Sequence, residues 1–124
     1  MLKVSKLNFG YKFRPIIKGL DFHLDEGQLL HISGPNGCGK TTLMSILAGL
    51  IQESSGSIEY KHQGNVSKDR REHIEYLPAE ANGLYGKMDA MENLRFWVSL
   101  RGLSYSDEQI IEELKLWSLD HPLI

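Results

Sequence analysis

The run Gly34-Pro35-Asn36-Gly37-Cys38-Gly39-Lys40-Thr41 constrains this chain more than any other feature, because it matches G-x-x-x-x-G-K-[ST] at every defined position. Its surroundings fit the same reading. Gln28 to Ser33 carries Leu29, Leu30 and Ile32 and reads as a short, buried strand. Lys40 to Leu50 carries Leu43, Met44, Ile46, Leu47 and Leu50 at helical spacing, with Gly49 weakening the last turn. A strand, a glycine-rich loop and a helix in that order put the loop at a helix N-terminus, where unpaired N–H groups and the positive dipole end attract anions. Glycines let the backbone turn sharply and approach phosphate oxygens closely. The expected ligand is a nucleoside triphosphate, ATP with Mg²⁺. Gly34, Asn36, Gly37, Cys38 and Gly39 would line the cradle, and Lys40 would reach the β- and γ-phosphates. Thr41 would offer its hydroxyl to Mg²⁺ and Thr42 would bond the α-phosphate. The competing interpretation is a glycine-rich turn beside a surface lysine, which the flanking strand and helix disfavour.

The rest of the chain gives a coarse order of elements. Leu2, Val4, Leu7 and Phe9 suggest a first strand with a slip in alternation near Ser5, followed by a turn over Gly10 to Pro15. Leu20, Phe22 and Leu24 alternate with Asp21 and His23 as a half-buried strand, and Asp25-Glu26-Gly27 is a tight turn. Ser57 to Tyr60 reads as a short strand, Lys61 to Glu72 as a polar loop or hairpin tip, and His73 to Leu77 as a strand stopped by Pro78. Two helices follow. Asp89 with Glu92 and Ser106 with Gln109 are capping-box pairs. The first helix is expected to turn Leu94, Trp97, Val98 and Leu100 inward, and the second Ile110, Ile111, Leu114 and Trp117. The class is therefore α/β, with β structure and the phosphate loop first and helices last.

With 124 residues there is room for one small domain. A net charge of −2 argues against a nucleic-acid partner or an anionic membrane held by bulk electrostatics. Cys38 is the single cysteine, which fits a reducing compartment, and inside the loop it reads as a small filler. No run approaches the roughly 18 apolar residues of a membrane span, and no signal peptide is recognisable, so the expected place is the cytoplasm. The five histidines show no metal-ligand spacing, and His23 and His31 read as sheet-surface residues.

The stretch GPNGCGKTTLMSILAG, Gly34 to Gly49, resembles the nucleotide-binding subunits of ABC transporters. Ser55-Gly56-Ser57-Ile58 looks like that family's SGxI strand, and DAMENL, Asp89 to Leu94, like the start of its helical subdomain. The resemblance implies an incomplete ABC-type P-loop NTPase fold over residues 1–124. Residues 1–77 would form an antiparallel β region and the P-loop core, 78–88 a Q-loop-like segment, and 89–124 the start of the helical subdomain. It also implies an aromatic that stacks on adenine near the end of the first strand. Tyr11 sits where that residue should be, with Phe9 as a rival. Partners implied are a membrane-spanning transporter subunit, which would hold the chain on the inner face of the cell membrane, and a second ATP-binding subunit or second copy. The segments from Phe22 to Gly37 and from Glu92 to Trp97 look similar to the ATP-binding subunits of the haem exporter of cytochrome c maturation.

Two departures from the family pattern bear on catalysis. Where the family carries a glutamine after YLP, this chain reads Tyr76-Leu77-Pro78-Ala79-Glu80: Ala79 has no polar side chain, and Glu80 could approach Mg²⁺ if the loop shifts by one residue. The family's LSGGQ signature, its acidic Mg²⁺ strand with the catalytic glutamate, and its switch histidine do not occur in the 124 residues. Lys40 is then a phosphate contact in an incomplete catalytic set, and the chain is expected to bind ATP without turning it over. The alternatives are a non-catalytic remnant, or another P-loop NTPase or kinase, the last disfavoured by the lack of an N-K-x-D pattern.

Overall fold

The structure is a computed structural model that describes residues 1–67, 69–79 and 83–119. The chain divides into two compact units, Met1–Leu77 and Pro78–Ile124.

The first unit contains β1 (Leu2–Tyr11), β2 (Arg14–Leu24), α1 (Lys40–Leu47), β3 (Ser55–His62) and β4 (Asn65–Ser67). The strands form one antiparallel sheet in the order β2-β1-β3-β4. Alternation along β1 turns Val4, Leu7 and Phe9 to one face, where Ile17 of β2 and Leu43, Ile46 and Leu47 of α1 meet them to make the core. Leu7 and Ile46 have no solvent exposure. Burying a side chain of that size contributes about 1.5–3 kcal/mol. The slip read near Ser5 coincides with register shifts between Val4 and Leu7 on the β2 side and between Ser5 and Asn8 on the β3 side. Lys6 lies between them at φ 47°, and its N–H donates to Asp21 Oδ1 at 2.8 Å.

Several boundaries differ from the sequence expectation. β2 begins at Arg14 rather than Leu20, so the expected turn shrinks to Lys12-Phe13. The polar stretch after Tyr60 holds a true hairpin, in which Gln63 at φ 49° and Gly64 at φ 82° make a turn of the kind that matches strand twist. α1 stops at Leu47, short of Leu50. Gly49 at φ 74° ends it: its N–H donates to Ile46 O at 3.0 Å, and that of Leu50 to Ser45 O at 2.9 Å. This is the Schellman closure.

Neither Gln28–Ser33 nor His73–Leu77 forms a strand, contrary to expectation: among the described residues neither has a ladder partner. Apolar content measures how readily a segment is buried, whereas a strand exists only where a neighbour supplies the hydrogen bonds. Ile32 still packs against the core, but Leu29 is 96% and Leu77 89% exposed.

The second unit holds α2 (Ala90–Leu100) and α3 (Asp107–Leu116), each opened by the capping box read from the sequence. Ile110 and Leu114 are buried. Buried Asn93 organises the turn before α2: its Oδ1 accepts from Tyr85 N–H, and its Nδ2 donates to the carbonyls of Tyr85, Met88 and Asp89. Arg95 grips Asp107 with two bonds of 2.9 and 2.7 Å, which joins the two helices. Trp97 is half-buried and donates to Gly83 O at 2.6 Å. Leu100, Ile111 and Trp117 do not turn inward as expected; Leu100 and Trp117 are 64% and 74% exposed. Leu100 closes α2 and Trp117 lies one residue past the end of α3, where helical periodicity no longer fixes the side-chain direction.

Candidate phosphate-binding site

The loop from Gly34 to Gly39 is a succession of turns that feeds directly into α1. Cys38 N–H donates to Pro35 O at 3.3 Å, which closes the first turn. Gly37 at φ 80° and Gly39 at φ 104° hold left-handed conformations that a side chain would strain. Gly39 is the N-cap of α1, with no side-chain cap and no acidic residue in the first turn. Its carbonyl accepts from Leu43 N–H at 2.9 Å, so the helical ladder starts there. The amides ahead of Leu43, those of Lys40, Thr41 and Thr42, belong to the first turn and have no acceptor within the helix. The result is an uncapped, positively polarised helix end, suited to an anion.

Lys40 supplies the charge. Its Nζ donates to the carbonyls of Gly34 at 2.6 Å and Pro35 at 2.9 Å and lies 3.8 Å from Cys38 Sγ. The ammonium therefore sits folded over the loop's own backbone. Thr41 is exposed at the helix start, and Thr42 is half-buried. Gly34, Asn36, Gly37 and Cys38 are exposed along the loop. A loop of free amides, an ammonium and a hydroxyl is a donor set that fits a polyphosphate with a hard divalent cation.

The two aromatic candidates separate clearly. Phe9 is in the core at 7% exposure, whereas Tyr11 is 57% exposed and meets the Phe9 ring edge-on at 5.0 Å between centroids. Of the two, Tyr11 has a ring face open for stacking. Glu80 lies outside the described residues. Sequence reasoning passed over Ile16, which falls between the turn expected over Gly10 to Pro15 and the strand expected from Leu20. Its side chain packs directly against Gly39. The adjacent apolar pair Ile16-Ile17 was the available signal.

The model of the ABC transporter family matches residues 17–124. The cytochrome c biogenesis ATP-binding export protein CcmA of Xylella fastidiosa (strain 9a5c) is 40% identical over 103 residues, which is 82% of this chain and 46% of that protein. CcmA of Legionella pneumophila (strain Lens) is 33% identical over 123 residues, 98% of this chain and 60% of that protein. The linearmycin resistance ATP-binding protein LnrL of Bacillus subtilis (strain 168) is 33% identical over 109 residues, 86% of this chain and 35% of that protein. A solved structure of an ATP-binding subunit of an ABC transporter superposes with a TM-score of 0.79 at 26% identity, covering 97% of this chain and 51% of the other. The chain thus spans about half the length of the CcmA proteins it matches. With the family model covering most of its residues and that fold shared along nearly its whole length, the chain belongs to the ABC transporter family of ATP-binding subunits.

Proposed function

We propose that these 124 residues form the nucleotide-contacting portion of an ABC transporter ATP-binding subunit and bind Mg-ATP through Gly34 to Thr42. The observation that carries this is the uncapped start of α1, with Lys40 Nζ held over the loop at Gly34 and Pro35. Gly34, Asn36, Gly37, Cys38 and Gly39 line the cradle, Lys40 contacts the β- and γ-phosphates, and Thr42 the α-phosphate. Thr41 holds Mg²⁺, with Glu80 as a second cation contact, and Tyr11 stacks on the base. Bound Mg²⁺ neutralises phosphate charge; the chain's own part is to orient the polyphosphate along amides that need no reorganisation. Residues 1–77 make the β region and P-loop core, 78–88 the Q-loop-like segment, and 89–124 the start of the helical subdomain.

Turnover needs more than this set. The 124 residues hold no LSGGQ run and no acidic strand carrying a catalytic glutamate, so alone they bind and do not hydrolyse. In the complete assembly, ATP hydrolysis by a pair of such subunits would drive a membrane-spanning partner from its cytoplasmic side. The CcmA relatives point to export in cytochrome c biogenesis; haem as cargo is what the resemblance of Phe22 to Gly37 and Glu92 to Trp97 implies. Among the described residues no helix is long and apolar enough to cross a membrane, consistent with attachment through that partner.

Fluorescent-nucleotide displacement with ATP and GTP, run beside a phosphate-release assay, tests the reading. ATP should displace the probe at lower concentration than GTP, with no phosphate released. Equal displacement by GTP would return the chain to the wider class of P-loop NTPases. Release of phosphate that disappears in Lys40→Ala would show that the chain is catalytically complete.

A further inference from the structure

β1 and β2 are not evenly paired near their shared tip. Phe9 faces Ile17, and Gly10 faces Pro15, which leaves Ile16 as one extra residue on β2. That is a β-bulge, a device that re-aims a side chain. The backbone is built for it on both strands: a Cβ on Gly10 would fall 2.7 Å from Arg14 O and 2.8 Å from Pro15 Cα, so only glycine lets β2 cross this closely. The bulged residue points somewhere specific. The Cγ2 methyl of Ile16 lies 2.7 Å from where a Cβ on Gly39 would stand, against the N-cap of α1. One pair further along the same hairpin, Tyr11 faces Arg14.

We propose that Ile16 is a positioning residue for nucleotide binding: the bulge seats its Cγ2 methyl beneath Gly39 and so sets the direction of the amides from Gly39 to Thr42 relative to the hairpin that carries Tyr11. The proposal rests on the nucleotide-binding reading above and adds to it the part that fixes the cradle. An aliphatic methyl brings no bond to a phosphate, so its effect is geometric and reaches the ligand through the loop. The chemistry of the contact makes the claim selective. Valine keeps a methyl on the β-carbon, whereas leucine has the same carbon count but branches one atom further out and removes it.

The test is calorimetric titration of the 124-residue chain with Mg-ATP and with Mg-tripolyphosphate, in the parent and in Ile16→Val, Ile16→Leu, Ile16→Ala and Ile17→Val. Ile16→Leu and Ile16→Ala should weaken both ligands by a similar factor of about ten, the scale of one misdirected charge-assisted bond. Ile16→Val should stay within about twofold of the parent. Ile17→Val trims the buried neighbour and should lower the melting temperature with little change in affinity. Weakening of Mg-ATP alone, with tripolyphosphate unaffected, would overturn the proposal by showing that Ile16 touches the nucleoside. Equal affinities for Ile16→Val and Ile16→Ala would overturn it too. Amide hydrogen exchange of the unliganded proteins separates this from a failure of the nucleotide reading. The amide of Leu43, bonded to Gly39 O at 2.9 Å, should exchange faster in Ile16→Ala than in Ile17→Val even if the parent binds neither probe, and equal exchange would remove the seat itself.

Discussion

Lys40 Nζ donates a 2.6 Å hydrogen bond to the carbonyl of Gly34, six residues before it. The ammonium is thereby held at the mouth of the loop by groups it must leave when a phosphate arrives. A charge-assisted bond to a charged acceptor contributes about 1.5–3 kcal/mol. Lys40→Ala should therefore weaken Mg-ATP by about 10- to 150-fold with little change in melting temperature, since the bonds it loses are solvent-exposed. Calorimetric titration beside a thermal melt checks both halves.

Tyr11 and Phe9 share a ring contact but should fail in different ways. Tyr11→Ala removes an exposed stacking face worth about 1–3 kcal/mol, a loss of about 5- to 150-fold in ATP affinity that Tyr11→Phe should largely restore. Phe9→Ala empties a buried site and should cost about 3–5 kcal/mol of stability. Nucleotide titration and denaturant melts of the three variants distinguish the roles. A Phe9 variant that melts like the parent would contradict its place in the core.

How much of this was legible in the sequence depended on how local each signal is. The phosphate loop, the slip near Ser5 and both capping boxes are written within a few residues, and the structure has a matching feature at each. Pairing is not local. Leu29, Leu30 and Ile32 announce a segment that wants burial, yet nothing in Gln28 to Ser33 says which strand will lie beside it. Ile16 was missed for the same reason, because its meaning lies in the count of residues across two strands and in its contact with Gly39. Asn93 inside an apolar helical pattern was visible as a polar residue, but its four partners come from the turn before the helix.

Asn93→Leu keeps the volume and removes those bonds, which leaves the amide of Tyr85 and several carbonyls without their side-chain partner. These bonds are partly buried, and each contributes about 1 kcal/mol. The second unit should loosen first, seen as a lower-temperature loss of Trp97 fluorescence and faster proteolysis after Leu77. A melt unchanged from the parent would show that the turn at Tyr85 to Asp89 holds by itself.

Asp69 caps the short 3₁₀ turn Arg70–Glu72, accepting from Arg71 N–H, and its carboxylate also takes two bonds from the Arg71 guanidinium at 3.0 and 2.8 Å. These bonds hold its pKa down from 3.8 to about 2. A depressed carboxylate stabilises the fold above its unfolded value, and the contribution is lost as pH falls through the folded one. The cap's contribution to stability should thus be complete above about pH 4 and fade as pH falls to about 2. A carboxyl titration followed by NMR should give a midpoint near 2 for Asp69, and a midpoint near 4 would contradict the paired geometry.

The most direct test of the central claim is a residue-resolved NMR titration of the amides with Mg-ATP. The account predicts the largest shifts at Gly37 to Thr42, with a smaller response at Tyr11, all of them moved to about 10- to 150-fold higher Mg-ATP in Lys40→Ala. Saturable binding whose shifts fall only on α2 and α3, with the amides of 37–42 unmoved, would contradict it.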